Sequence, residues 1–281
     1  MKYAITLASF RKIEPIEDTL AVLTKQGYDA IEIFGEPTEV DTNKLLDSLK
    51  SYSLPVCGVT GMWGSISRNG WKRRLLSNDP SLVDASEQYV IDCLKLCNTL
   101  GGHEMNICLF ADDIKGVDKT HSIISANEKE LFAAKAVPIM KSLCKSAVNY
   151  GVQLLLEPLN RYSTPYCATA KDAISITQQV DSLGVLLDTF HMNIEEDLFN
   201  EAIQSSRKFL RHMHFADNNR KMPGFAHIDF STIVKSLNEI DYDGFISFEP
   251  NIADKNYEHV IKHGLDFIKE IVGYKTKRHP N

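Results

Sequence analysis

Short apolar runs with a two-residue repeat alternate with longer amphipathic stretches along this chain of 281 residues. The strand-like runs fall at about 3–9, 30–34, 55–60, 104–109, 153–157, 185–188, 212–216 and 245–249. Helix-like stretches fill the gaps at 14–26, 42–52, 81–100, 126–150, 170–180, 196–208, 231–239 and 257–272. Strands separated by helices cannot pair as hairpins. Each connection must cross over, which favours a parallel sheet covered by helices. Eight such units in 281 residues match a closed (β/α)8 barrel, read as one domain over 1–281. An open doubly wound sheet is the alternative, but no glycine-rich turn follows the first strand to hold a dinucleotide. Gly27, Gly101, Gly151 and Gly184 are expected to end helices. Thr42 and Ser81 are expected to cap them, with Asp79-Pro80-Ser81 forming a helix entry.

Composition narrows the function. Apolar residues make up 43% of the chain, enough for a large core, and the net charge of −6 argues against nucleic acid as the main partner. No apolar run approaches the roughly 18 residues of a membrane span. The first ten residues read as a strand rather than a signal peptide. None of the six cysteines (57, 93, 97, 108, 144 and 167) lies in a CxxC pair. Cys93 and Cys97 share a helix face, where small apolar packing explains them. A scattered set in a chain this large suggests reduced thiols and a cytoplasmic protein. The tail 275–281 reads as frayed. Two long connections, 61–80 and 110–125, should lie at the C-terminal mouth of a barrel, where loops of this length form a lid or a substrate wall.

The last four strand-like runs each finish on a side chain that binds metals. They are Leu154-Leu155-Leu156-Glu157, Gly184-Val185-Leu186-Leu187-Asp188, His212-Met213-His214 and Phe245-Ile246-Ser247-Phe248-Glu249. With a period of two, Leu155 and Glu157 face the same way, as do Leu186 and Asp188, His212 and His214, and Ser247 and Glu249. An acidic residue at one strand end is commonly a turn former. Four metal-binding side chains at successive strand ends argue for one shared ion. Three carboxylates and one imidazole suit a hard or borderline divalent cation, with Mn²⁺ first and Co²⁺ or Mg²⁺ as alternatives.

The segments that follow these ligands are long enough to carry a resemblance. Leu156-Glu157-Pro158-Leu159-Asn160-Arg161-Tyr162, Asp188-Thr189-Phe190-His191-Met192-Asn193-Ile194-Glu195-Glu196, and His212-Met213-His214 through Arg220 to His227-Ile228-Asp229-Phe230 resemble the xylose-isomerase-like TIM-barrel sugar isomerases and epimerases. Within these the chain is most similar to the ketose 3-epimerases that act on tagatose and psicose. The resemblance implies a metal held by Glu157, Asp188, His214 and Glu249. It implies acid/base catalysis by Glu157 and Glu249, and substrate binding by His191 and Arg220. The chain departs from the pattern at Ser163, where the ketose 3-epimerases usually carry a glutamate near the sugar's C1 end. It departs again at Ala226, in place of the second glycine after the arginine loop.

The implied chemistry is physically coherent. Inverting a carbon beside a carbonyl requires loss of a weakly acidic proton, and a divalent ion stabilises the enediolate that develops. Two opposed carboxylates can then exchange protons with opposite faces. The expected partner is a small sugar, with no nucleic acid, no membrane and a homo-oligomer compatible with the sequence. An epimerase of 3-keto sugars or glycosides and a keto-inositol dehydratase are the nearest alternatives. An endonuclease IV-like nuclease is disfavoured, because the histidines of a three-metal cluster are missing or in the wrong order. Trp63, Trp71 and Phe110 could stack on a sugar or anchor the loops. Glu32 could support the site or pair with a buried cation. His212 reads as a core histidine, Asp217 as a turn residue, and Asn160-Arg161 as groups that orient Glu157 or fix the loop. His103 lies at the wrong strand end and receives no role.

Overall fold

A computed structural model describes residues 1–112 and 124–276. In it eight parallel strands form a closed barrel in sequence order. The strands are β1 (Lys2–Thr6), β2 (Ala30–Gly35), β3 (Val56–Gly61), β4 (Glu104–Ile107), β5 (Gln153–Leu156), β6 (Gly184–Asp188), β7 (Leu210–Phe215) and β8 (Phe245–Phe248). The helices are α1 (Ile16–Gln26), α2 (Thr42–Tyr52), α3 (Pro80–Thr99), α4 (Ala126–Asn149), α5 (Ala170–Thr177), α6 (Thr189–Glu195), α7 (Phe199–Ser206), α8 (Phe230–Glu239) and α9 (Glu258–Thr276). Closure comes from β1 against β8, with Tyr3 opposite Ile246 and Ala4 opposite Ser247. The protein is therefore a (β/α)8 TIM barrel.

Strand alternation divides the interior into two environments. Ile5, Ile33, Leu156, Leu187, Met213, Phe215 and Phe248 point outward and join one apolar core between sheet and helices. Many inward positions carry polar side chains, beside a small apolar group of Ala4, Ala30 and Cys57. Thr6, Glu32, Thr60, Asn106, Asp188, His212, His214 and Ser247 are all buried. Groups of this kind are kept inside a fold only when they satisfy one another or a ligand. The barrel interior therefore departs from an apolar packing core.

Several boundaries differ from the sequence expectation, each for a local reason. β1 ends at Thr6 rather than residue 9, and Leu7–Ser9 form a 3-10 turn in which the Thr6 hydroxyl accepts from Ala8 N. Glu157 and Glu249 lie one residue beyond β5 and β8, yet their N–H groups still donate to Ile107 O and Phe215 O at 3.0 and 3.1 Å. The caps sit earlier than expected. Asp41 rather than Thr42 accepts from Lys44 N, and Asp79 rather than Ser81 caps α3, with Pro80 at its first position. Gly27 caps α1 at φ 79° as expected, whereas Gly184 opens β6 and Ser182 takes the left-handed turn. A Cβ on Gly184 would lie 2.6 Å from Leu155 and 2.8 Å from Arg211, so close packing explains that glycine. Residues 189–195, between the expected strand and the expected helix, form α6, and the helix expected over 196–208 is confined to α7.

The connection 61–80 is a packed wall. Arg73, buried beneath it, donates to Glu36 Oε1 and Oε2 at 3.1 and 2.7 Å and to Met62 O, and its guanidinium lies 3.7 Å from the centre of the Tyr89 ring. Tyr89 in turn accepts from Met62 N and donates to Gly35 O, both at 2.8 Å. Of the second long connection, residues 113–123 lie outside the described residues, as do 277–281 of the expected frayed tail. All six cysteines are free and buried. Among the described residues no helix is long and apolar enough to cross a membrane.

Candidate active site

The strand ends of β5, β6, β7 and β8 deliver Glu157, Asp188, His214 and Glu249 to one point. One ligand atom from each lies within 4.8 Å of every other. Three of the four are fully or nearly fully buried, with Asp188 and His214 at 0% exposure and Glu157 at 4%. Above them opens a pocket of about 300 Å³ lined by Trp63, Trp71, Phe110, Phe190, His191, Arg220 and Glu249.

The protonation pattern of His214 tests whether this set fits a cation. Its Nε2 lies 3.1 Å from Glu32 Oε2, and a carboxylate can only accept, so Nε2 carries the proton. Nδ1 faces Glu249 Oε2 at 3.2 Å and Glu157 Oε1 at 3.9 Å, buried and without a hydrogen-bond partner. The carboxylate oxygens crowded on Nδ1 call for a positive charge there, a ring proton when no ion is bound or a cation held between them. Three carboxylates and one imidazole nitrogen supply the donors for a divalent ion. The residues fit the implied group.

The two glutamates occupy different surroundings. Burial raises the Glu157 pKa above the ordinary carboxylate range; His214 opposes the rise, while Glu249 and Asp188 add to it. Asn106 Nδ2 donates to Glu157 Oε2 at 2.5 Å, and its own Oδ1 is fixed by Gly61 N at 2.6 Å. The Cys108 thiol lies 3.6 Å from the same Glu157 oxygen. Burial acts upward on Glu249 too, but Arg220 and His214 outweigh it and hold that carboxyl well below its usual range. Arg220 donates to Asp188 Oδ2 and, at 2.5 Å, to Glu249 Oε2. Its guanidinium stacks over Phe190 at 4.7 Å. Its backbone is left-handed at φ 58°, a strained conformation for an arginine, stabilised where Asn251 N donates to Arg220 O at 2.6 Å.

His191, on α6, has its tautomer set by Asn160. The Asn160 Oδ1 accepts from Tyr162 N and Ser163 N at 3.0 and 3.2 Å, which turns its amide nitrogen toward His191 Nδ1 at 2.8 Å. Nδ1 therefore accepts, and Nε2–H points inward, 3.8 Å from Asp188 Oδ2. Burial pushes His191 down to about 4, against the pull of Asp188, so it is a neutral donor.

The model of the xylose isomerase-like TIM barrel matches residues 20–271. The chain belongs to that family. A D-psicose 3-epimerase of Ruminiclostridium cellulolyticum is 30% identical over 232 residues, covering 81% of this chain and 75% of that one. The crystal structure of a D-psicose 3-epimerase with D-tagatose from Clostridium cellulolyticum H10 superposes with a TM-score of 0.80 at 25% identity, covering 97% of this chain and 99% of the other. A 3-dehydro-D-guloside 4-epimerase of Escherichia coli is 30% identical over 132 residues, 46% of this chain and 50% of that protein. Epimerases are enzymes of the isomerase class, and so is this member of the family.

Within this family barrel all eight expected site residues lie at one mouth: four in the ligand cluster, and His191, Arg220, Trp63 and Phe110 around the pocket with Glu249. Trp63 packs edge-on to Tyr89 at 5.5 Å, and Trp71 edge-on to Phe110 at 6.1 Å. These rings both line the pocket and anchor the wall. Of the two roles expected for Asn160-Arg161, fixing the loop is the one seen: Asn160 accepts from Tyr162 N and Ser163 N while its amide nitrogen holds His191, and Arg161 forms a two-oxygen pair with Glu195. Asp217 accepts from Gly224 N, Ala226 N and Ile228 N, a loop-organising residue as expected. His212 is a core histidine bound to Glu104 Oε2 at 2.7 Å. Sequence reasoning missed Asn106 and Phe190. Asn106 was within reach, because it is a polar residue flanked by apolar Met105 and Ile107, on the inward parity of β4 that Glu104 shares.

Proposed function

We propose that residues 1–281 form a single catalytic domain that epimerises a ketose at the carbon beside its carbonyl, C3, with a divalent ion of which Mn²⁺ is the best match. The observation that carries this reading is the convergence of Glu157, Asp188, His214 and Glu249 beneath a pocket that also presents His191 Nε2–H and Arg220. A divalent ion held by those four residues would stabilise the negative charge that develops on the substrate oxygens. Glu157 and Glu249 come from strands three apart in the barrel order, so their carboxyls can approach a bound carbon from different sides. One removes the C3 proton and the other delivers a proton to the opposite face of the planar enediolate. Asn106 holds Glu157 in place for that transfer. Neutral His191 and cationic Arg220 donate to the substrate oxygens, and Trp63 and Phe110 wall the sugar from water. The substrate is a free small sugar, and the enzyme works in the cytoplasm.

A second reading is favoured by one feature. Ser163 lines the pocket where the ketose 3-epimerases usually carry a glutamate, and the neighbouring rim exposes Ile66 and Trp71 at 48% and 45%. The added room and lost charge suit a keto sugar with a larger substituent, such as a 3-keto glycoside. Incubating the Mn²⁺-loaded enzyme in D₂O with a panel of ketoses and 3-keto glycosides tests both. Deuterium should enter only at the inverted carbon, and Glu249→Gln with full metal occupancy should lower the rate by about 10²–10⁴-fold. Epimerisation without solvent deuterium, or an unaffected Gln variant, would remove the two-glutamate scheme.

A further inference from the structure

A buried chain of alternating carboxylates and imidazoles runs down the barrel from the ligand cluster. It begins at His214 Nε2, 3.1 Å from Glu32 Oε2. The same Glu32 oxygen accepts from Ser247 Oγ at 2.5 Å, and Glu32 Oε1 lies 3.6 Å from His212 Nε2. His212 Nδ1 then donates to Glu104 Oε2 at 2.7 Å, where the Glu104 side chain, 20% exposed, reaches the edge of the barrel. Glu32, His212, His214 and Ser247 are all 0–3% exposed. The ladder sets this stack in register: β7 pairs with β8 so that His214 lies opposite Ser247, and β1 pairs with β2 so that Thr6 lies opposite Glu32.

We propose that Glu32 is the positioning residue of the metal centre: it locks His214 in the Nε2–H tautomer, so that Nδ1 is the ligand atom, and its charge strengthens that nitrogen as a donor. This inference rests on the reading of Glu157, Asp188, His214 and Glu249 as ligands. Three features single Glu32 out. It has no contact with the pocket, so a role in substrate binding does not account for it. An ionised group this deep is costly unless paired, and its hydrogen-bond partners here are His214 and Ser247. Its acceptor oxygens also decide which nitrogen of His214 faces Glu157 and Glu249. A carboxylate behind a metal-bound imidazole fixes the ring and raises its basicity, and loss of such a partner typically weakens metal binding by 10–100-fold. Ser247 Oγ, donating to the same Oε2, fixes Glu32 in turn.

The same group of Glu32, His212 and His214 could instead hold an ion of its own, since their ligand atoms also lie within 4.8 Å of one another. Titration of the chelator-stripped full chain with Mn²⁺ and Co²⁺ separates the cases. The wild type should bind one ion per chain, and Glu32→Gln, which keeps shape and removes charge, should bind it about 10–100-fold more weakly. The visible spectrum of the Co²⁺ form should shift. Should Glu32→Gln fail to fold, Ser247→Ala is the second variant. It frees Glu32 from one donor and should weaken binding several-fold. Unchanged affinity and spectrum in a folded variant would overturn the proposal, as would two ions per wild-type chain. A wild type that binds no ion would overturn the ligand reading itself.

Discussion

Replacing Asn160 by aspartate changes almost no volume and reverses one polarity. The Oδ1 that accepts from Tyr162 N and Ser163 N is kept. The amide nitrogen 2.8 Å from His191 Nδ1 becomes a second carboxylate oxygen. Two acceptors cannot face each other at that distance, so Nδ1 must take the proton and Nε2 must give it up or leave the ring cationic. A neutral hydrogen bond of about 1 kcal/mol is exchanged for a charge-assisted one of roughly 1.5–3 kcal/mol. At 1.36 kcal/mol per unit this raises His191 by about one unit from its position near 4. The ring stays mostly neutral at pH 7, now with a lone pair where it presented Nε2–H. Loss of a donor aimed at a developing oxyanion typically costs about 10²–10³-fold in kcat. Asn160→Asp should therefore fold normally, bind the ion as before and lose activity by that order on the ketose panel. Histidine ¹⁵N spectra should show the proton moved from Nε2 to Nδ1. A variant that keeps the Nε2–H tautomer, or moves the proton without losing activity, would refute the assignment of His191 as a donor.

Other outcomes follow from the same geometry. Ser163→Glu restores charge and bulk beside the pocket and should change the substrate ranking toward small ketoses in a competition assay; an unchanged ranking would show that this position does not set selectivity. Chelation should lower the melting temperature as well as abolish turnover, because an ion that binds only the folded site stabilises by RT ln(1 + [L]/Kd), about 2.7 kcal/mol at a hundredfold excess over Kd. Arg73→Met leaves Glu36 buried and unpaired and should destabilise by about 3–5 kcal/mol, with the double variant Arg73→Met/Glu36→Gln recovering most of it in denaturant titrations. Arg73 holds Glu36 below its usual value against the pull of burial, so the pair's contribution is present above about pH 4.3 and is lost as pH falls through the lower folded value. The stability gap between wild type and the double variant should shrink over that acid range.

The parts of this molecule legible in its sequence are those governed by periodicity. Alternation of apolar runs gave eight strands in order, and two-residue parity put Glu157, Asp188, His214 and Glu249 at one mouth, as the barrel has them. Parity says nothing about which neighbour a side chain chooses. Asn160 follows Glu157 by three residues, so chain proximity offered it to the glutamate or to the loop; its Oδ1 does hold the loop at Tyr162 and Ser163, while α6 carries His191 onto its amide nitrogen. Boundaries slipped for a related reason. Asp41 and Asp79 outcompete Thr42 and Ser81 as caps because their carboxylates reach backbone N–H groups of the first turn, a contest of single hydrogen bonds that patterning does not register. The least legible feature is the acid in the middle of β2. Glu32 sits between two isoleucines and reads equally well as a support for the site or the partner of a buried cation. Only closure of the barrel, which brings β2 across from β7, shows that the histidines of one strand are the reason for the glutamate of the other.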